Sequence, residues 1–204
     1  MGVKERRDRE KENLRQDILD AASELFAKEG YANVSMRKIA DKIEYSPTTI
    51  YLYFKDKIDL LNQICEETFG KLIETVSMIE AKGSDEPINC LQKGMRAYIE
   101  FGLKYPNHYE VTLITPIMDF LGKELHPYEG SSGQKAFEYI VRQVTGSMEK
   151  GQIEKGDVAA ISQTIWAAIH GVTALLISHK DFPFVDKDVL IDKVISTTIK
   201  GLQT

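Results

Sequence analysis

Cysteine is scarce: Cys65 and Cys90 are the only two in 204 residues. They form no CxxC pair and have no histidine nearby at metal-ligand spacing, which excludes a disulfide framework and a thiolate metal centre. Both are expected to be buried thiols, and no metal or cofactor is expected. Long apolar runs are also lacking. The longest, Ile165 to Ser178, falls short of the ~18 residues that a membrane span needs and contains His170, so it reads as a core helix and no membrane partner is expected. Met1 to Asp20 is densely charged, with no apolar stretch of the kind a secretory signal carries, which places the expected location in the cytoplasm. Positive charge is short too: 26 Lys+Arg stand against 31 Asp+Glu, a net charge of −5.

What is present is the composition of a folded globular chain, 43% hydrophobic and 28% charged, too apolar for disorder. The acidity is unevenly spread. Residues 1–57 carry 12 basic and 11 acidic side chains, a balance of +1, whereas residues 58–204 carry 14 and 20. A modest local excess of positive charge is therefore compatible with a nucleic-acid partner for the first part of the chain.

Apolar residues recur at helical spacing almost throughout, and no alternating strand pattern competes. Leu14, Ile18, Ala22, Leu25 and Phe26 share one face of a first helix that closes at Gly30. A second helix of about two turns follows Ser35 as N-cap, with Ile39, Ala40 and Ile43 as its apolar side. The run Glu44-Tyr45-Ser46-Pro47 is a turn ending in a serine cap and a proline at the first helical position. A third short helix then carries Thr48 to Phe54, and a long amphipathic fourth follows Lys57. After a polar turn at Lys82 to Asp85, helices are expected over Pro87 to Tyr105, Asn107 to Thr115, Ser132 to Lys150, Asp157 to His179 and Asp186 to Gly201. The fold is expected to be all-α with about nine helices.

Two short helices joined by a tight turn and braced by a longer one form a helix-turn-helix pattern. At about 100° per residue, Ile50 and Phe54 point inward while Thr48 and Leu52 point outward, flanked by Thr49 and Tyr51. Hydroxyls bond base edges or phosphates, and apolar groups touch thymine methyls, so this outward face suits a major groove. Arg37, in the first turn of the second helix, has the reach for a bidentate contact to guanine. Lys55 and Lys57 are placed for the phosphate backbone.

The segment Ser35 to Lys57, SMRKIADKIEYSPTTIYLYFKDK, together with the preceding LFAKEGYANVSM and the following Leu60-Leu61, resembles the helix-turn-helix of the tetracycline-repressor family of bacterial regulators. The resemblance is close over residues 12–72. It implies a homodimer in which a DNA-binding domain precedes a larger helical domain for ligand binding and dimerisation. The corresponding division is a charged extension at 1–11, a helix-turn-helix domain at 12–57 and a second domain at 58–204. Carried onto matching positions, the resemblance implies that Arg37, Ser46, Pro47, Thr48, Thr49 and Tyr51 face DNA and that Tyr53 and Lys57 hold phosphates. Ser35, Leu52 and Lys55 complete the expected DNA-facing set. Leu52 departs from the aromatic common at that position, so no operator sequence can be inherited from a relative.

In the second domain, aromatic and flexible apolar residues concentrate between Met95 and Phe137, the inventory of a pocket for a small, largely apolar molecule. The candidate ligand-binding residues are Tyr98, Phe101, Tyr105, Tyr109, Met118, Phe120, Phe137, Trp166 and His170. Trp166 and His170 lie one helical turn apart, and with Gly171 they resemble the WxxxHG signature of one C-terminal subclass of the family. The last two helices are apolar enough for a dimeric four-helix interface.

The expected function is thus a DNA-binding transcriptional regulator, a repressor released from a palindromic operator by a small effector. Enzymatic activity is not expected: the four histidines accompany no nucleophile motif, no HExxH and no phosphate-cradling glycine loop. The competing reading is a helical module that binds other proteins and no DNA.

Overall fold

The computed structural model describes residues 2–81, 86–115 and 128–203, and among them every regular element is helical. Among the described residues nine α-helices occur in chain order: α1 Val3–Glu29, α2 Met36–Lys42, α3 Pro47–Tyr51, α4 Lys57–Ala81, α5 Pro87–Lys104, α6 Pro106–Tyr109, α7 Ser132–Glu149, α8 Val158–Ser178 and α9 Lys187–Leu202. The turn expected at Lys82 to Asp85 and the candidates Met118 and Phe120 lie outside the described residues. The chain forms two compact units, one of residues up to Thr68 plus 107–115, the other of 69–106 plus 128–203.

In the first unit, α1 includes the charged extension. The Gly2 N–H donates to the Glu5 carboxylate at 2.9 Å and Arg6 pairs with Glu10 at 2.8 Å, one turn apart, supporting the first turns. Gly30 stops the helix with φ of +80°, a conformation that costs glycine little, and its N–H donates back to the Phe26 carbonyl at 3.0 Å. Ile18, Leu19 and Ala22 of α1, Ile39 and Ala40 of α2, Ile50 and Phe54, and Leu60 and Ile64 of α4 bury one shared core. Each leucine, isoleucine or phenylalanine among them contributes roughly 1.5–3 kcal/mol when fully buried. This core makes short helices of seven and five residues stable where neither would persist alone.

Helix α3 ends earlier than its periodicity suggests. After Tyr51 the chain tightens, with Leu52 N–H bonded to the Thr49 carbonyl at 3.2 Å and Tyr53 N–H to the Ile50 carbonyl at 3.0 Å, yet Phe54 still reaches the core. The segment expected as one helix from Asn107 to Thr115 is a single turn of α6 that widens at once, closing with a Thr115 N–H bond to the Glu110 carbonyl at 2.8 Å. It packs within the first unit: His108 pairs with Asp20 of α1 at 3.3 Å, Val111 enters the core, and Thr112 donates to the Thr68 hydroxyl at 3.4 Å. Burial pushes the Cys65 thiol up to about 12, so it is inert.

The second unit packs α5 against α7 and α8, with α9 on α8 and α5. Gly94 of α5 is required for that approach, because a side chain there would overlap the ring of Tyr139, whose hydroxyl donates to the Cys90 carbonyl at 2.6 Å. Arg142 grips both oxygens of Glu80 at 3.0 and 3.2 Å. One expectation needs correcting. Helix α8, at 21 residues with a mean hydropathy of 1.5, is by length and composition alone long and apolar enough to cross a membrane. Read as a run of strongly apolar residues it is broken by Ser162, Gln163 and His170; averaged along the helix, its many alanines, isoleucines and leucines outweigh them. Only a third of the 18-residue stretch of α8 that carries this hydropathy is buried.

Candidate nucleic-acid interface

The two helices of the reading head are capped as their sequence demands. The Ser35 hydroxyl accepts the Lys38 N–H at 3.2 Å, and the Ser46 hydroxyl accepts the Thr49 N–H at 3.2 Å while lying 2.9 Å from the Thr49 hydroxyl. Pro47 occupies the first position of α3, where its missing N–H leaves nothing unsatisfied. Between the helices Glu44 takes a left-handed conformation with φ of +61°. Around it Tyr45 N–H returns to the Ala40 carbonyl at 3.0 Å and Glu44 N–H to the Asp41 carbonyl at 3.3 Å. This is the pair of bonds that ends a helix sharply, here with glutamate in the place glycine usually fills. The turn fixes the angle between α2 and α3.

With Ile50 and Phe54 turned inward, the opposite face of α3 is open. Leu52 is 77% exposed and Tyr51 53%, with Thr48 exposed beside them and Thr49, Pro47 and Tyr53 half-buried. Arg37 projects from α2 with its side chain 83% exposed, and its nearest anion, Asp41, is a marginal 4.0 Å away. Lys38 and Lys42, by contrast, are tied to Glu29 and Glu24 of α1. Lys55 is exposed, and the α4 start is capped by Asp56, which accepts the Asp59 N–H at 2.8 Å. Lys57 is engaged differently from its neighbours: its ammonium donates to the carbonyls of Tyr31 and Val34, each at 2.8 Å, and lies 4.1 Å from the centre of the Tyr31 ring. Burial holds its pKa below the usual lysine value. Sequence periodicity carries no signal for that contact, since it joins residues 23 and 26 apart. Tyr45, 48% exposed at the turn, is a further open aromatic outside the expected set.

The candidate ligand residues fall into separate groups. Tyr98, Trp166, His170 and Phe137 meet in the second unit: Trp166 donates from Nε1 to the Tyr98 hydroxyl at 3.2 Å, that hydroxyl lies 3.4 Å from His170 Nδ1, and the Phe137 and Trp166 rings meet edge to face at 6.1 Å. Desolvation lowers the His170 pKa. Phe101 and Tyr105 form a second aromatic pair at 5.3 Å, with Lys71 and Lys104 over the Tyr105 ring. Tyr109, fully buried, belongs to the first unit. No group of three or more metal-ligating side chains occurs among the described residues.

Residues 18–64 match the family profile of bacterial regulatory proteins of the tetR family, and residues 91–198 match the tetracycline-repressor-like C-terminal domain. The chain belongs to the tetracycline-repressor family. The second match contains Trp166, His170 and Gly171. Within this family the chain is similar to the fatty acid metabolism regulator protein of Bacillus subtilis, 44% identical over 57 residues, 28% of this chain and 29% of that one. It is 33% identical over 84 residues to the transcriptional regulator AcrR of Shigella flexneri, 41% of this chain and 39% of that one. The aligned regions thus span between 29% and 39% of the length of these curated relatives. The fold likeness runs further: the structure of AibR in complex with isovaleryl coenzyme A and operator DNA aligns with a TM-score of 0.76 at 18% identity, covering 90% of this chain and 96% of that one. The all-α architecture expected from sequence, a helix-turn-helix followed by a larger helical domain, is therefore the family's.

Proposed function

We propose that this tetracycline-repressor family member is a homodimeric transcriptional repressor of the bacterial cytoplasm that binds double-stranded operator DNA and is released from it by a small, largely apolar effector. The observation that carries the DNA reading is the division of α3 and the tight turn after it into a buried side, Ile50 and Phe54, and an open side of Thr48, Tyr51 and Leu52 with Arg37 extended next to it. A core-only role explains the first side and leaves the second, with its hydroxyls, methyls and long cation, unused. Ser35, Ser46, Thr49, Tyr53 and Lys55 border the same face.

Dimerisation through α8 and α9 is supported by what those helices leave uncovered. Ala160, Thr164, Ala167, Gly171, Ala174 and Ser178 recur at alternating spacings of four and three on α8, none of them buried, with Leu175 46% exposed beside them and Val189 of α9 59% exposed. Small residues at that repeat let a second helix approach closely. Two reading heads on a two-fold axis then require half-sites about 34–36 Å apart or a multiple of that.

The effector site proposed is the Tyr98, Trp166, His170 and Phe137 group, where an apolar wall carries a few polar atoms. The fatty-acid regulator and AibR, with its isovaleryl coenzyme A, make fatty acids and acyl thioesters the first probes. Effector and operator would oppose one another by about 1–3 kcal/mol of reciprocal coupling, transmitted along α4, which belongs to both units. The test is retention of labelled genomic fragments on the purified protein at low salt, repeated with Arg37→Ala and with fatty acids and acyl-CoA added. Retention by wild type, loss in the variant and release by one probe class support the proposal. Equal retention by Arg37→Ala overturns the reading role of this face.

A further inference from the structure

Lysine at the start of α4 invites assignment as a phosphate contact, yet the geometry of Lys57 gives its ammonium other work. Two of its three N–H donors are committed to main-chain carbonyls, Tyr31 O and Val34 O, both at 2.8 Å, and its remaining side faces the Tyr31 ring. Tyr31 is itself held against Phe26, with ring centres 5.2 Å apart. Both carbonyls belong to the turn between α1 and α2. Val34, 2% exposed, is anchored in the core, and the next residue, Ser35, caps α2. Arg37 leaves α2 two residues later, within its first turn.

We propose that Lys57 is a positioning residue for base reading: it clamps the turn at residues 31–34 to the first turn of α4, and so sets where Ser35 and Arg37 stand relative to α3, rather than donating to a phosphate. Charge-assisted bonds to carbonyls are shorter and stronger than neutral ones, and the partial burial that disfavours the ammonium is offset by them and by the ring face. A phosphate would have to win Lys57 away from both carbonyls, leaving those two acceptors to solvent. Lys55, exposed two residues earlier, shows no such commitment of its ammonium among the described residues and is the better placed phosphate donor.

This inference rests on the DNA-binding reading, and its test separates the two. Lys57→Met keeps the apolar stem and removes the donors; should it fail to fold, Lys57→Gln, which reaches one carbonyl, replaces it. In the free protein, hydrogen exchange at the amides of residues 31–38 is expected to quicken at least severalfold while exchange in α5 is unchanged; unchanged exchange at 31–38 overturns the clamp whether or not DNA is bound. Binding is then measured, across a range of salt, to a duplex selected by the wild type from a random pool and to a scrambled duplex of equal length. The clamp predicts a roughly tenfold fall in the ratio of the two affinities, with the slope of log K against log salt unchanged. A phosphate contact predicts equal losses on both duplexes and a slope smaller by about 0.9 per lysine, about 1.8 per dimer, and that result overturns the proposal. If the wild type binds neither duplex, the DNA reading falls, and the exchange experiment still decides the clamp.

Discussion

Trp166 of α8 donates its indole N–H to the Tyr98 hydroxyl of α5 at 3.2 Å, and the same hydroxyl lies 3.4 Å from His170 Nδ1. One phenol thus gathers two polar groups from the neighbouring helix, with the Phe137 ring against Trp166. Trp166 is the sole tryptophan of the chain, so its emission reports on this cluster alone. Tyr98→Phe is expected to destabilise the fold by about 1 kcal/mol, the net worth of an ordinary hydrogen bond, and to shift the emission. An effector seated here must move the Trp166 spectrum at the concentration that releases DNA. Release without any spectral change would place the effector site elsewhere.

The same cluster predicts a pH dependence. Burial lowers the His170 pKa from its unfolded value of 6.5, so the fold favours the neutral ring. Its contribution to stability is whole above that value and diminishes as pH falls below it, because the unfolded chain then binds the proton more readily. Thermal unfolding at pH about 7.5 and about 5.5 should show wild type losing more stability on acidification than His170→Gln. Equal losses would show that His170 is solvated in the folded protein.

Gly171 separates packing within one chain from packing between two. A Cβ added there meets nothing within 4 Å, so the protomer itself does not need the glycine. Gly171→Leu is expected to leave the helical content of the protomer intact and to shift sedimentation toward monomer, with operator affinity falling because paired half-sites are no longer engaged together. A Gly171→Leu protein that sediments as the wild-type dimer contradicts an interface along this side of α8.

How far the sequence reveals this molecule depends on the range of the interaction. The N-caps Ser35 and Ser46 and the proline at position 47 are local devices, legible because a cap acts within three residues. The buried partners Ile50 and Phe54 follow from helical periodicity. The early end of α3 does not, since the tightening after Tyr51 depends on how Phe54 must reach the core. Segment 107–115 reads as a simple helix, and only its docking on α1, through His108 and Asp20, discloses the widened turn and its place in the first unit. Seven of the nine candidate ligand residues come from one stretch of aromatic composition, Met95 to Phe137, and Trp166 and His170 from a motif; neither signal says that Tyr98 meets Trp166, 68 residues away, while Tyr109 belongs to the first unit. The Lys57 contacts are of the same non-local kind.

The most direct test of the account is sequencing of the DNA that the purified dimer selects from random and genomic pools, with Tyr51→Ala and Arg37→Ala carried in parallel. The account predicts one palindrome with half-sites at a fixed spacing near one helical turn or a multiple of it, enriched by the wild type and lost or relaxed at the bases facing Arg37 and Tyr51 in the variants. No enrichment at low salt, or the same palindrome recovered equally by all three proteins, would contradict it.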